Sequence, residues 1–115
     1  MSRSNDLYLR DILDAAEAID SFVRGMTSRD LESDRKTRDA VVRNLEIIGE
    51  AVKRIPPSTL AAWPDVDRGG WARMRDVVAH QYFGVDVDVT WSAVQEERPG
   101  LVAATRALLA EPGTS

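Results

Sequence analysis

The chain has no cysteine among its 115 residues, which excludes a disulfide framework, a thiolate metal site and a cysteine nucleophile. It has one histidine, His80, too few for a transition-metal cluster. No apolar run approaches the roughly 18 residues that a membrane span needs, and the opening MSRSNDLYLRD has no apolar stretch of the secretory-leader kind. These absences predict a soluble, cytoplasmic protein. Gly69-Gly70 lacks the surrounding pattern of a phosphate-cradling loop, no serine sits in a nucleophile arrangement, and nothing in the chain asks for a cofactor. Asp65, Asp67, Asp86 and Asp88 invite a divalent cation, but loop carboxylates more commonly cap helices. Internal repeats and low-complexity segments are also missing.

What is present is charge, unevenly spread. The formal net charge of −4 argues against a nucleic-acid partner, because phosphates need Lys and Arg to displace counterions. The average hides a gradient. Residues 1–34 carry four basic and eight acidic side chains, residues 35–80 nine and six, and residues 81–115 two and five. The basic surplus lies in the segment that leads into His80, where it is either a footprint for a phosphate ligand or a solvated helix face of mixed charge.

The apolar spacing predicts helices. Tyr8, Ile12, Ala15, Ile19 and Phe22 recur at steps of 4 and 3, one stripe of a helix that begins near Ser4 or Asn5 and is closed by Gly25. Ser28 and Asp30 read as caps for a turn into a longer helix from about Asp34, striped by Val41, Leu45, Ile48, Val52 and Ile55 and flanked by Val42 and Ile47. Pro56-Pro57 ends it. A third helix is expected from about Gly69-Gly70 to Gly84, with Trp71, Met74, Val77 and Val78 on its apolar side. A fourth runs from about Asp88 through Trp91, Val94, Leu101 and Leu108, kinked or broken at Pro99-Gly100. Val85–Val89 alternates like a strand but has nothing to pair with, so Asp86 or Asp88 is read as an N-cap. The expected architecture is an all-α antiparallel bundle of four to five helices, a single domain over 1–110 with a frayed tail at 111–115.

The third helix carries the polar motif, in MRDVVAHQYFGVD, residues 74–86. At about 100° per residue, Asp76 and His80 share a face, where the carboxylate fixes the imidazole tautomer and favours its charged form. Arg75 and Tyr82 are seven apart and share a stripe. Arg75 and His80 are separated by roughly 140°, so a site using both needs a long reach or a second subunit. Taken alone, a single histidine in a small helical protein is more often structural than chemical, and Tyr82 reads equally as a packed ring with a wet hydroxyl. Asn44, Glu46 and Glu50 interrupt the second helix and either line a cleft or belong to its solvated face. Trp63, Trp71 and Trp91 read as packing.

Four stretches, YLRDILDAAEAI, KTRDAVVRNLEIIGEAVKRIP, RMRDVVAHQYFGVD and TWSAVQEERPGL, resemble HepT-type proteins, the helical toxins of the HEPN superfamily encoded beside a minimal nucleotidyltransferase (MNT) antitoxin. The resemblance covers nearly the whole chain. It implies a helical bundle that dimerises through its motif helices and cleaves RNA without a metal through an R-x4-H motif, here Arg75 and His80. It further implies that the MNT partner transfers AMP to the motif tyrosine, here Tyr82. The residue after the arginine, often Asn in the family, is Asp76 in this chain, and its negative charge beside a phosphate needs neutralising by His80 or an arginine. A second reading is a non-catalytic helical dimer that binds the nucleotidyltransferase or a nucleotide, with Arg75 and His80 as ligand contacts.

Overall fold

A computed structural model describes residues 3–60 and 87–110, and every described element is helical. Helix α1 spans Arg3–Val23, α2 Ser28–Ser33, α3 Arg35–Arg54, α4 Pro57–Leu60, α5 Val87–Ser92 and α6 Arg98–Ala110, with a π-helical turn, Ala93–Glu97, joining the last two. The expected third helix, the expected tail at 111–115 and the residues Trp63, Asp65, Asp67, Gly69, Gly70, Trp71, Gly84 and Asp86 lie outside the described residues.

Helix α1 buries Leu9, Ile12, Ala16, Ile19 and Val23, a 3-4-3-4 repeat, with Ala15 on the same side. Tyr8 is only half-buried, and Phe22, expected in the stripe, is 41% exposed. Val23 takes the inward place one residue later. Gly25 ends the helix in the left-handed region at φ +79°, where a side chain would be strained.

The next turn is built by local hydrogen bonds. The Thr27 hydroxyl accepts from the Asp30 N–H at 3.1 Å while the Asp30 carboxylate accepts from the Thr27 N–H at 2.9 Å, a reciprocal cap at the start of α2. The expectation that Ser28 would cap is thus off by one residue. Thr27→Ala should cost about 1 kcal/mol, read as a lower urea midpoint at unchanged slope. Helix α3 starts beside Asp34 as expected, and Asp34 itself is its cap, accepting from the Thr37 N–H at 3.1 Å and from its hydroxyl at 2.7 Å, bonds that hold the Asp34 carboxyl below its ordinary value.

Helix α3 buries Val41, Leu45, Ile48 and Val52, followed by Ile55, the full expected stripe, and Val42 and Ile47 flank it half-buried. Ile55 is extended at φ −80° and ψ 131°, the conformation a following proline demands. Pro57 then opens α4, where its missing N–H costs nothing.

The long helices are antiparallel. The Asn5 amide donates to Thr59 at 3.3 Å, which places the start of α1 beside the end of α3. On the other flank Arg98 pairs with Asp20 at 3.4 Å and Arg106 with Glu17 at 3.1 Å, so α6 runs back along α1. Helix α1 is therefore the middle layer, with α3 on one side and α6 on the other, and Leu9, Ile12, Ile19, Leu45, Ile48, Val94 and Leu101 in the core between them.

The last helix is not broken at Pro99-Gly100: the π-helical turn Ala93–Glu97 runs directly into α6. Pro99 has no N–H, and its ring crowds the carbonyl four residues back, so the chain widens by one residue per turn over Ala93–Glu97 and the Arg98 N–H reaches the Ala93 carbonyl. The detour keeps Val94, Leu101 and Leu108 on the core side. Asp88, weighed as an N-cap, already lies in the first turn of α5, where a carboxylate suits the positive end of the helix dipole. Trp91 packs half-buried against the core, as expected. Among the described residues no helix is long and apolar enough to cross a membrane.

Candidate functional site

The four motif residues singled out from the sequence, Arg75, Asp76, His80 and Tyr82, lie outside the described residues. Of the second-helix polar residues, the structure separates Asn44 from Glu46 and Glu50. The Asn44 amide is half-buried and donates to the Ala40 carbonyl one turn back at 2.8 Å, a bond internal to α3. Glu46 and Glu50 line a hollow of about 240 Å³ at the seam of α1 and α3, together with Tyr8, Asp11, Arg43 and Arg54 and floored by Ile47 and Ala51.

The hollow follows from helix geometry. On α3, Arg43, Glu46, Glu50 and Arg54 recur at steps of 3 and 4 on the side away from the Leu45 stripe, so packing that stripe inward leaves them at the outer edge. On α1, Tyr8 and Asp11 stand between the buried Leu9–Ile12 face and solvent. Glu50 accepts from the Arg54 guanidinium at 2.9 Å, and Arg54 is held above its ordinary value first by that carboxylate and then by the Tyr8 hydroxyl. The aromatic ring and the ion pair thus brace the end of the seam.

Asp11, Arg43 and Glu46 make no ion pair among the described residues, although charges of both signs line the same small space. Chemically the hollow is a polar recess with donors and acceptors of both charge signs. Asp11, Arg43 and Arg54 were not singled out in the sequence, and Tyr8 was read there only as part of the α1 apolar stripe. The i, i+4 spacing of Glu50 and Arg54 is visible there, but nothing in a linear chain says that Tyr8 and Asp11 stand opposite them.

A family model described as "Ribonuclease HepT-like" matches residues 12–108. The chain is 48% identical over 101 residues to a protein of Thermococcus cleftensis named "Probable ribonuclease HepT", covering 88% of this chain and 92% of that one. It is 40% identical over 92 residues to a Methanocaldococcus jannaschii protein named "Putative RNase", covering 80% of this chain and 76% of that one. A protein of the same designation from Caldanaerobacter subterraneus subsp. tengcongensis is 36% identical over 102 residues, covering 89% and 91%. No solved structure matches the chain.

Proposed function

The chain belongs to the HepT-like ribonuclease family of the HEPN superfamily, and from that premise we propose that it is the toxin of an MNT–HepT toxin–antitoxin pair. In this reading it is an endoribonuclease that cuts RNA without a metal through Arg75 and His80, and it is silenced when a nucleotidyltransferase antitoxin transfers AMP to Tyr82. The observation that carries the reading is the R-x4-H-x-Y spacing of Arg75, His80 and Tyr82, inside the stretch that the family model matches.

The chemistry is in-line attack of an RNA 2′-hydroxyl on the adjacent phosphorus. The bond from the 2′-oxygen to phosphorus forms as the bond from phosphorus to the 5′-oxygen breaks, and a proton leaves the first oxygen and arrives at the second. An imidazole serves either transfer, since its reference pKa near 6.5 lies close to neutral pH. The active form is a homodimer through the motif helices. One His80 takes the proton and its symmetry mate gives one. Arg75 holds the phosphate and stabilises charge on its non-bridging oxygens, and the second copy relieves the roughly 140° between Arg75 and His80 on one helix. Asp76 orients the imidazole and favours its charged form, which in turn offsets the carboxylate beside the phosphate.

Tyr82 is the control point. A phosphate on its hydroxyl lies on the Arg75 stripe and competes for the guanidinium, while the adenosine fills the cleft. Incubation with the nucleotidyltransferase and ATP is expected to add AMP mass to the wild type and none to Tyr82→Phe.

Cleavage of bulk RNA in EDTA, by protein freed of its partner and shown by mass to carry no AMP, is the experiment that tests the ribonuclease reading. Cutting is the expected result. Folded, unmodified protein that leaves varied RNAs intact would overturn it in favour of the non-catalytic binding module, which Asp76 and the net charge of −4 favour.

A further inference from the structure

The widened turn at Ala93–Glu97 leaves one buried carbonyl without its ordinary donor. In an unbroken α-helix the Val94 carbonyl accepts from the N–H four residues on, that of Arg98. Here the Arg98 N–H goes to Ala93 instead. The next N–H along the chain would be that of residue 99, and proline has none. The Gln95 carbonyl loses the same donor, but Gln95 is exposed to water. Val94 is fully buried, and a backbone carbonyl left unpaired away from water is costly.

The Arg98 side chain fills the gap. Its Nε–H donates to the Val94 carbonyl at 3.2 Å, and the far end of the same guanidinium donates to Asp20 of α1 at 3.4 Å. The side chain is only 17% exposed, and the fixed fork of N–H groups on its plane serves both acceptors at once. The turn it braces joins two packing arrangements, since α6 lies along α1 and α5 lies against α2. It takes in one residue more than an α-helical turn. Reverting to α-helical spacing would displace α5 relative to α6 by about 100° of rotation and about 1.5 Å along the axis, carrying the buried Thr90 and Val94 out of their places. The motif stretch, residues 74–86, ends one peptide bond before Val87, so the seat of α5 also fixes where that stretch is tied.

We infer that Arg98 stands in for the N–H that Pro99 lacks, clamping the Val94 carbonyl to the Asp20 carboxylate of α1 and so locking the widened turn and the seat of α5 against α2. The two residues act as a pair: the arginine is required because the proline is there.

Substituting each in turn tests the lock in the full chain. Arg98→Met keeps the apolar stem and removes the guanidinium, while Pro99→Ala returns an N–H. Thermal unfolding of the wild type, the two single variants and the double variant completes a cycle that cancels the separate effect of Pro99→Ala. With Pro99 present, Arg98→Met is expected to lower the midpoint by roughly 5–10 °C. With alanine at position 99 the same change should lower it by roughly half of that or less, because the backbone again supplies a donor to Val94. Methyl NMR locates the effect: in Arg98→Met the Leu31 and Thr90 resonances, on α2 and α5, should move while those of Ile48 on α3 stay in place. Equal losses in the two backgrounds would make Arg98 a plain ion-pair partner of Asp20 and overturn the lock, as would no loss at all or unmoved Leu31 and Thr90 resonances. Should Arg98→Met alone fail to fold, the double variant folds if the lock is right and stays unfolded if it is wrong.

Discussion

His80→Ala is expected to lose RNA cleavage by about 10²–10⁴-fold or more while keeping the wild-type helical spectrum and thermal midpoint. The lower bound is what a single positioned proton-transfer group contributes. The larger end applies because a homodimer carries two copies of the change and so loses both the acceptor at the attacking hydroxyl and the donor at the leaving oxygen. The two losses do not add, since groups that act as a unit lose most of their effect when the first is removed. The measurement is single-turnover cleavage of one defined RNA in EDTA, with both proteins confirmed free of AMP. Activity within a few-fold of wild type would remove His80 from the chemistry. Restored activity in the mutant on adding free imidazole would strengthen its assignment as the proton carrier, because imidazole replaces the ring and nothing else. The chain contains one histidine, so no second imidazole can substitute for it and mask the loss.

How much of this was legible in the sequence depends on the range of the interaction that settles each feature. The inward stripe of α3 was legible in full, because Val41, Leu45, Ile48, Val52 and Ile55 are all buried and their spacing alone identifies one face of a helix. The end of that helix was legible for the same reason: Pro56 and Pro57 act on their immediate neighbours. The far end of the α1 stripe was less so. Phe22 and Val23 are both apolar and adjacent, and the choice between them belongs to the packing of α1 between α3 and α6, which periodicity does not report. Pro99 was recognised as a disturbance, but its outcome was not. A widened turn restores a backbone hydrogen bond from Arg98 to Ala93 and keeps Val94 and Leu101 on one side, a result that depends on how strongly those two residues are held in the core.

The hollow was not legible at all, because it joins Tyr8 and Asp11 to residues more than thirty positions away, and only the antiparallel docking of α1 and α3 brings them together. The motif is the opposite case. Arg75, His80 and Tyr82 lie within eight consecutive positions, so their pattern is readable without any fold, although the pattern alone leaves packing and catalysis both open.

Ile48→Ala carries the largest expected effect on stability. Ile48 is fully buried on the core face of α3 that packs against α1, in one cluster with Leu9, Ile12, Ile19 and Leu45. Truncation removes three methyl or methylene groups from contact on every side, and α1, held on both flanks, cannot collapse into the space. The expected loss is about 3–4 kcal/mol, within the 2–5 found for such truncations. A domain of this size has on the order of 5–15 kcal/mol in total, so the variant forfeits about a fifth or more of it and its thermal midpoint should fall by roughly 10–20 °C. Ile48→Val, which removes one methylene, should cost about 1 kcal/mol. Phe22→Ala, a larger deletion on the exposed side of α1, should stay within about 0.5 kcal/mol of wild type. Urea unfolding at equal protein concentration checks the series, since any self-association raises apparent stability with concentration. The ranking is the discriminating outcome. A Phe22→Ala loss equal to that of Ile48→Ala would mean that the outer face of α1 is covered by something as tightly packed as the core.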